Sequence, residues 1–179
     1  MIIKAVFSGF GGQGVMMMGT SLAQSVMSKG YHVTYLPAYG AEMRGGTANC
    51  TVAVSDEEIA SPVASEPNYL VAMNRPALFT FQNRVTSGGS ILINSSMVEV
   101  SPSRQDVTAF YIPCSDMAQE LGNYRTANIV MMGAFVRQSG IIPPEIYLKT
   151  LETIMGSRKK ALADVNRRAF TSGYEYVQK

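Results

Sequence analysis

The sequence predicts an α/β fold of Rossmann-like type, three-layered, with a mixed, mostly parallel sheet flanked by helices. Three observations carry it. Short apolar runs alternate with stretches of helical apolar periodicity, which implies strands and helices in turn. A glycine-rich turn, Gly9 to Gly14, follows the first run and precedes the first helical stretch. Only Pro37 to Thr47 separates the second and third strand patterns, too little for a parallel crossover, so one pair is antiparallel and the sheet is mixed.

Taken in order, Ile2 to Phe7 reads as a buried parallel strand ending at Ser8-Gly9. Val15, Met18, Leu22 and Val26 recur at helical spacing, and Gly30 is the stop. Tyr31 to Leu36 is the second strand. In the third, Ala48, Cys50, Val52 and Val54 alternate with Asn49, Thr51 and Ala53. Tyr69 to Met73, Ser90 to Ile93 and Val107 to Ile112 are further strands, with a helix beginning at Pro76 between the first two and a loop from Asn94 to Asp106. Beyond Cys114 the pattern is helical. Ala127, Val130, Met131, Ala134 and Phe135 share a face closed by Gly140, Pro143-Pro144 opens a helix with Leu148, Leu151 and Met155, and Ala161, Val165 and Ala169 mark a last short helix.

The 179 residues and 19.4 kDa form a single domain, 1–179, large enough to bury about two-thirds of its unfolded surface in one core. With 46% hydrophobic and 16% charged residues the surface is greasy, and part of it is expected to be an interface. A net charge of +2, with no basic run longer than Arg158-Lys159-Lys160, argues against a nucleic-acid partner. Cys50 and Cys114 lie far apart and match no metal or cluster spacing. No apolar run approaches a membrane span and the N-terminus is unlike a signal peptide, so the expected location is cytoplasmic, with no membrane association.

Gly9, Gly11 and Gly14 satisfy the dinucleotide-loop pattern in the right context, strand before and helix after. A chain without side chains turns tightly there, lets a ligand approach the backbone and offers it the N–H groups of a helix N-terminus. A packed turn that simply needs glycine explains the same residues. A nicotinamide site would add an acid at the end of the second strand, but that strand ends Tyr35-Leu36-Pro37 and Glu42 lies well beyond. Gln13 places an amide inside the turn, suited to a polar ligand or a partner backbone.

The second loop, AYGAEMRGGTANC from Ala38 to Cys50, leaves the carboxyl end of its strand and is expected to lie beside the glycine turn. Arg44 suits a phosphate or carboxylate, with Glu42 its partner or facing another chain; an exposed turn explains both equally. His32, in a strand, is expected to be structural, Met16 to Met18 and Met131-Met132 to be packing, and both cysteines to be buried apolar groups. No nucleophile, base or metal ligand is assigned.

Gly9-Phe10-Gly11-Gly12-Gln13-Gly14, then Tyr39-Gly40-Ala41-Glu42-Met43-Arg44-Gly45-Gly46, then Ser55-Asp56 with Ile59 and Ser61-Pro62, resemble the gamma subunit or domain of the 2-oxoacid:ferredoxin oxidoreductases. Asn128 to Gly133 and Asn166 to Gly173 are similar to that family's C-terminal pattern, so the resemblance spans nearly the whole chain. It implies one part of an enzyme acting on pyruvate, 2-oxoisovalerate or 2-oxoglutarate, forming acyl-CoA and reducing ferredoxin. It also implies that thiamine diphosphate and the iron–sulfur clusters sit on the other subunits, alpha, beta and, where present, delta. By it this chain binds no cofactor alone and holds no catalytic or metal site. Gly9, Gly11, Gly12, Gln13, Gly14, Tyr39, Glu42, Arg44, Gly45 and Gly46 become a polar edge facing the thiamine-bearing subunits and coenzyme A. The smaller subunit of indolepyruvate:ferredoxin oxidoreductase and a stand-alone nucleotide-binding protein are the alternatives.

Overall fold

In a computed structural model, which describes residues 3–40, 46–62, 65–155 and 160–177 (backbone alone at 160 and 161), the first strand is the centre of the sheet. β1 (Ile3–Phe10) pairs antiparallel with β3 (Thr47–Ser55) along its whole length and parallel with β4 (Tyr69–Ala72). It outruns its apolar stretch. Ser8, Gly9 and Phe10 stay paired with Asn49, Ala48 and Thr47 because the partner strand continues beside them. A side chain at Gly9 would meet Gln13 Oε1 at 2.6 Å and Met73 Cβ at 2.9 Å, so glycine is required there by crowding.

α1 (Val15–Met27) buries Val15, Met18, Leu22 and Val26, the face its spacing predicts. β2 (His32–Tyr39) then pairs antiparallel with β3 from His32↔Ser55 to Tyr39↔Ala48, as the short connection requires. This strand is longer than Tyr31 to Leu36 and runs through Pro37. A ring without an N–H is tolerated there because β2 is the sheet's edge.

α2 (Arg75–Phe81) is capped by Asn74, whose Oδ1 accepts from Ala77 N at 2.9 Å, with Pro76 in its first turn. β5 (Ser90–Asn94) and β6 (Thr108–Ile112) complete a six-stranded sheet of order β2-β3-β1-β4-β5-β6, in which the three ladders from β1 to β6 are parallel. α3 (Cys114–Glu120), α4 (Ala127–Ser139), α5 (Pro144–Met155) and α6 (Lys160–Tyr176) follow.

The larger core joins one sheet face, including Phe7, Val52, Val71 and Leu92, to α1 and to the helices after β6. Alternation along the strands sends Val6, Leu70, Ala72, Ile91 and Ile93 to the other face, under Leu78 and Phe81 of α2. α6 is not the short helix expected: it runs for 17 residues. Its second half adds Phe170 and Tyr174 to the apolar face, and two glycines let it lie against α4. A Cβ on Gly173 would stand 1.8 Å from the Val130 carbonyl oxygen, and one on Gly133 would stand 2.0 Å from that of Phe170. Phe170 also stacks on Tyr147 of α5 at 5.0 Å between centroids, and Tyr147 shares a hydrogen bond of 2.8 Å with Ser21 of α1. Burial raises the Tyr147 phenol above its ordinary pKa, opposed by that bond. The helical layer is thereby tied together from α1 to α6.

Candidate functional site

Two antiparallel steps separate β1 from β2, so both strands run the same way and end at the same edge. That edge brings the two glycine-rich stretches together. Gly11 N donates to Gly46 O at 3.0 Å, and Gly40 N donates to Thr47 O at 2.8 Å where the β2–β3 hairpin closes. Gly11, Gly12, Gly14, Met16, Tyr39 and Gly46 line one cavity of about 330 Å³. Tyr39 is 69% exposed at its rim.

The turn is built for glycine. Gly12 has φ 98° and Gly14 φ 73°, the left-handed region that side chains rarely adopt. Gly14 is also the N-cap of α1, so no side chain caps that helix, and no acidic residue lies in its first turn. A helix normally spends a Ser, Thr, Asn or Asp on these N–H groups. Left uncapped, with the positive end of the helix dipole behind them, they favour an anion.

Gln13, whose amide suits a polar ligand or a partner backbone by sequence, is engaged within the chain. Its Oε1 accepts from Phe10 N at 2.7 Å and from Asn74 Nδ2 at 3.0 Å, while its Nε2 donates to Met73 O at 3.2 Å. The amide latches the turn to the end of β4. Asn94 Nδ2 reaches the same Met73 carbonyl at 3.3 Å and Ser115 Oγ at 2.9 Å, so the ends of β1, β4 and β5 share one polar network. On the opposite side, Asn128 of α4 gives its Nδ2 to Gly14 O at 3.4 Å.

Of the predicted residues, Gly11, Gly12, Gly14, Tyr39 and Gly46 meet at one cavity, Gly9 lies in β1 beneath it and Gln13 braces it from within. Glu42, Arg44 and Gly45 lie outside the described residues. Asn74, Asn94 and Asn128 were missed. Their signal was in the sequence all the same: polar amides closing apolar strands or opening an apolar helix.

Other reactive groups stand apart. His32 is exposed on the edge strand. Burial pushes the Cys50 thiol up to about 12 and raises that of Cys114 too, against thiolate chemistry at either. Tyr35, beside Cys50, is likewise raised to about 12, chiefly by desolvation. Among the described residues, no group of three or more His, Cys, Asp or Glu side chains is placed to hold a metal ion. No helix among them is long and apolar enough to cross a membrane.

Comparison with known proteins decides the family. The profile described as pyruvate ferredoxin/flavodoxin oxidoreductase matches residues 4–176. The chain belongs to that family. Within it, the chain is 36% identical over 177 residues to the ketoisovalerate oxidoreductase subunit VorA of Methanothermobacter thermautotrophicus, covering 98% of this chain and 36% of that protein. The chain thus spans about a third of the length of the ketoisovalerate relatives it matches. The gamma subunit of the keto/oxoacid ferredoxin oxidoreductase of Geobacter sulfurreducens PCA is similar in structure, with TM-score 0.88 and 26% identity, over 99% of this chain and 97% of that one. The 2-oxoglutarate:ferredoxin oxidoreductase of Magnetococcus marinus, solved with 2-oxoglutarate, coenzyme A and succinyl-CoA, shares the fold at TM-score 0.91 and 23% identity, over 99% of this chain and 31% of that one. The α/β fold with its mixed sheet is therefore that of the family's gamma subunits.

Proposed function

We propose that this chain is the gamma component of a 2-oxoacid:ferredoxin oxidoreductase, which converts a 2-oxoacid to an acyl-CoA and carbon dioxide and passes the electrons to ferredoxin. The carrying observation is the cavity that joins an uncapped helix N-terminus, a side-chain-free turn and the β2–β3 hairpin at one edge. In this reading the edge packs on the thiamine-bearing subunits and forms one wall of the coenzyme A site.

The residues present fit a phosphorylated thiol carrier. The N–H groups at the start of α1 suit its phosphates, and Gly12 and Gly14 leave the backbone open to close approach. Arg44 and Glu42, in the segment joining β2 to β3, are assigned to phosphate and to a partner subunit. Gln13, Asn74 and Asn128 hold the turn in shape from behind. When bound by the partner subunits, thiamine diphosphate and the clusters supply decarboxylation and electron transfer; this chain positions coenzyme A and excludes water. The relatives are named for different oxoacids, and the oxoacid is assigned to the other subunits.

Arg44→Ala in the assembled complex tests the site. Loss of a charge-assisted phosphate contact is expected to raise KM for coenzyme A roughly ten- to hundredfold with assembly intact. An unchanged KM for coenzyme A in a normally assembled complex refutes the role.

A further inference from the structure

α2 and the 3₁₀ turn that follows it (Gln82–Arg84) lie on the sheet face away from α1, and Ala77, Leu78 and Phe81 fill their inner side. On the outer side Arg75, Phe79, Asn83 and Arg84 are exposed, Phe79 at 49%. One exposed ring is ordinary by itself. Here it lies among cations that have no acid to answer them. Arg75 stands over the Phe79 ring at 5.3 Å and Arg84 over that of Phe81 at 5.5 Å. Neither guanidinium has a carboxylate within ion-pair distance among the described residues, whereas Arg104 and Arg167 are paired with Asp106 and Glu152. From Pro67 to Val98 the sequence holds these two arginines and no other charged residue. A ring beneath a guanidinium holds its plane and leaves its N–H edge to oxygen acceptors.

We propose that this face docks an acidic stretch of a neighbouring subunit of the same complex. An apolar side chain of that stretch packs on Phe79, and carboxylates to either side of it take Arg75 and Arg84, roughly 14 Å apart along the helix. Charge complementarity selects the occupant, because an aromatic centre with flanking arginines is the composition of a protein interface and the unanswered charge is positive. Two cations are too few for a nucleic-acid backbone, whose binding grows with each phosphate neutralised. The face is also tied to the glycine turn. Asn74, which caps α2, donates to Gln13 Oε1 at 3.0 Å, so a subunit seated on α2 has a fixed bearing on that turn. The inference rests on the reading of this chain as the gamma component.

Dilution of the assembled complex at graded sodium chloride tests it, with release of this chain read by size-exclusion chromatography. Arg75→Glu together with Arg84→Glu is expected to weaken retention of the chain roughly ten- to hundredfold at low salt and to flatten its dependence on salt. Phe79→Ser is expected to weaken retention roughly tenfold at every salt concentration. All three side chains are exposed, so the thermal midpoint of the free chain should stay at the parent value. Arg75→Lys with Arg84→Lys keeps the charge and the assembly, and its amines are expected to couple through a carbodiimide to Asp or Glu side chains of one neighbouring subunit. Unchanged retention on charge reversal, a loss equal at low and high salt, no coupling, or coupling only between copies of this chain overturns the proposal. A complex that assembles normally with both charges reversed sinks this proposal alone. A parent chain that joins no oxidoreductase subunit sinks the gamma-component reading, and the occupant named here with it.

Discussion

Gly173→Ala is expected to destabilise the protein although it replaces a helix-interior glycine by the best helix former. Propensity alone favours alanine by about 1 kcal/mol. Against that, the new Cβ would lie 1.8 Å from the Val130 carbonyl oxygen, 2.7 Å from its carbon and 3.1 Å from its Cα. All three are backbone atoms, so no side chain can rotate away. Relief requires α4 and α6 to separate by roughly 1.5 Å, the gap between that oxygen distance and an ordinary carbon–oxygen contact of about 3.3 Å. Forced overpacking of this kind costs about 1–3 kcal/mol and occasionally more. Here it also opens the seam that buries Val130, Ala134, Ala169 and Phe170, so the upper part of that range applies. After the propensity gain, a net loss of about 2 kcal/mol is expected, or roughly 4–8 °C in Tm for a chain of this size. Guanidinium and thermal unfolding followed by circular dichroism read both. Gly133→Ala should behave alike, and the double variant should lose less than the sum, because helices already apart do not collide twice. Stability equal to or above the parent's in Gly173→Ala refutes the close crossing.

Other expectations follow from the same geometry. Ser21→Ala should cost about 1–3 kcal/mol, since it strands the buried Tyr147 hydroxyl, whereas Tyr147→Phe should cost less because Ser21 Oγ still has the Met18 carbonyl; equal losses in denaturant titrations would contradict this. Gln13→Ala should loosen the glycine turn without unfolding the domain, seen as faster hydrogen exchange at Phe10 N–H; unchanged exchange would mean that the amide does not brace it. At Cys50 the folded thiol is raised from 9.0 to about 12, so between those values the unfolded chain gives up a proton that the folded one keeps. Stability is therefore full below about pH 9 and falls as pH rises towards 12, by up to about 1.4 kcal/mol per unit for that thiol. Cys50→Ala should flatten the alkaline limb of the denaturation midpoint, and an identical limb would refute the assignment.

Much of the fold was legible because the sheet and α1 rest on local periodicity. Val15, Met18, Leu22 and Val26 mark α1, and the short span from Pro37 to Thr47 forces the antiparallel hairpin. What failed depended on partners distant in sequence. Phe10 belongs to β1 only because Thr47 pairs with it, and β2 passes Pro37 only because it is an edge. The length of α6 was hidden because Gly173 reads as a breaker until α4 is known to lie against it. At the site, glycine spacing placed the turn correctly, but nothing local says that Gln13 turns inward to Met73, sixty residues away. The asparagines were visible as letters, and their partners were not.

The central claim, that this chain is the gamma component of an oxoacid oxidoreductase, is tested most directly by anaerobic affinity purification of the tagged chain from its native cells. The co-purifying proteins are identified and the preparation is assayed for dye reduction dependent on both a 2-oxoacid and coenzyme A. The account predicts a brown, thiamine-containing assembly with that activity, and the preferred oxoacid would name the enzyme. A colourless chain without stoichiometric partners or activity would contradict it.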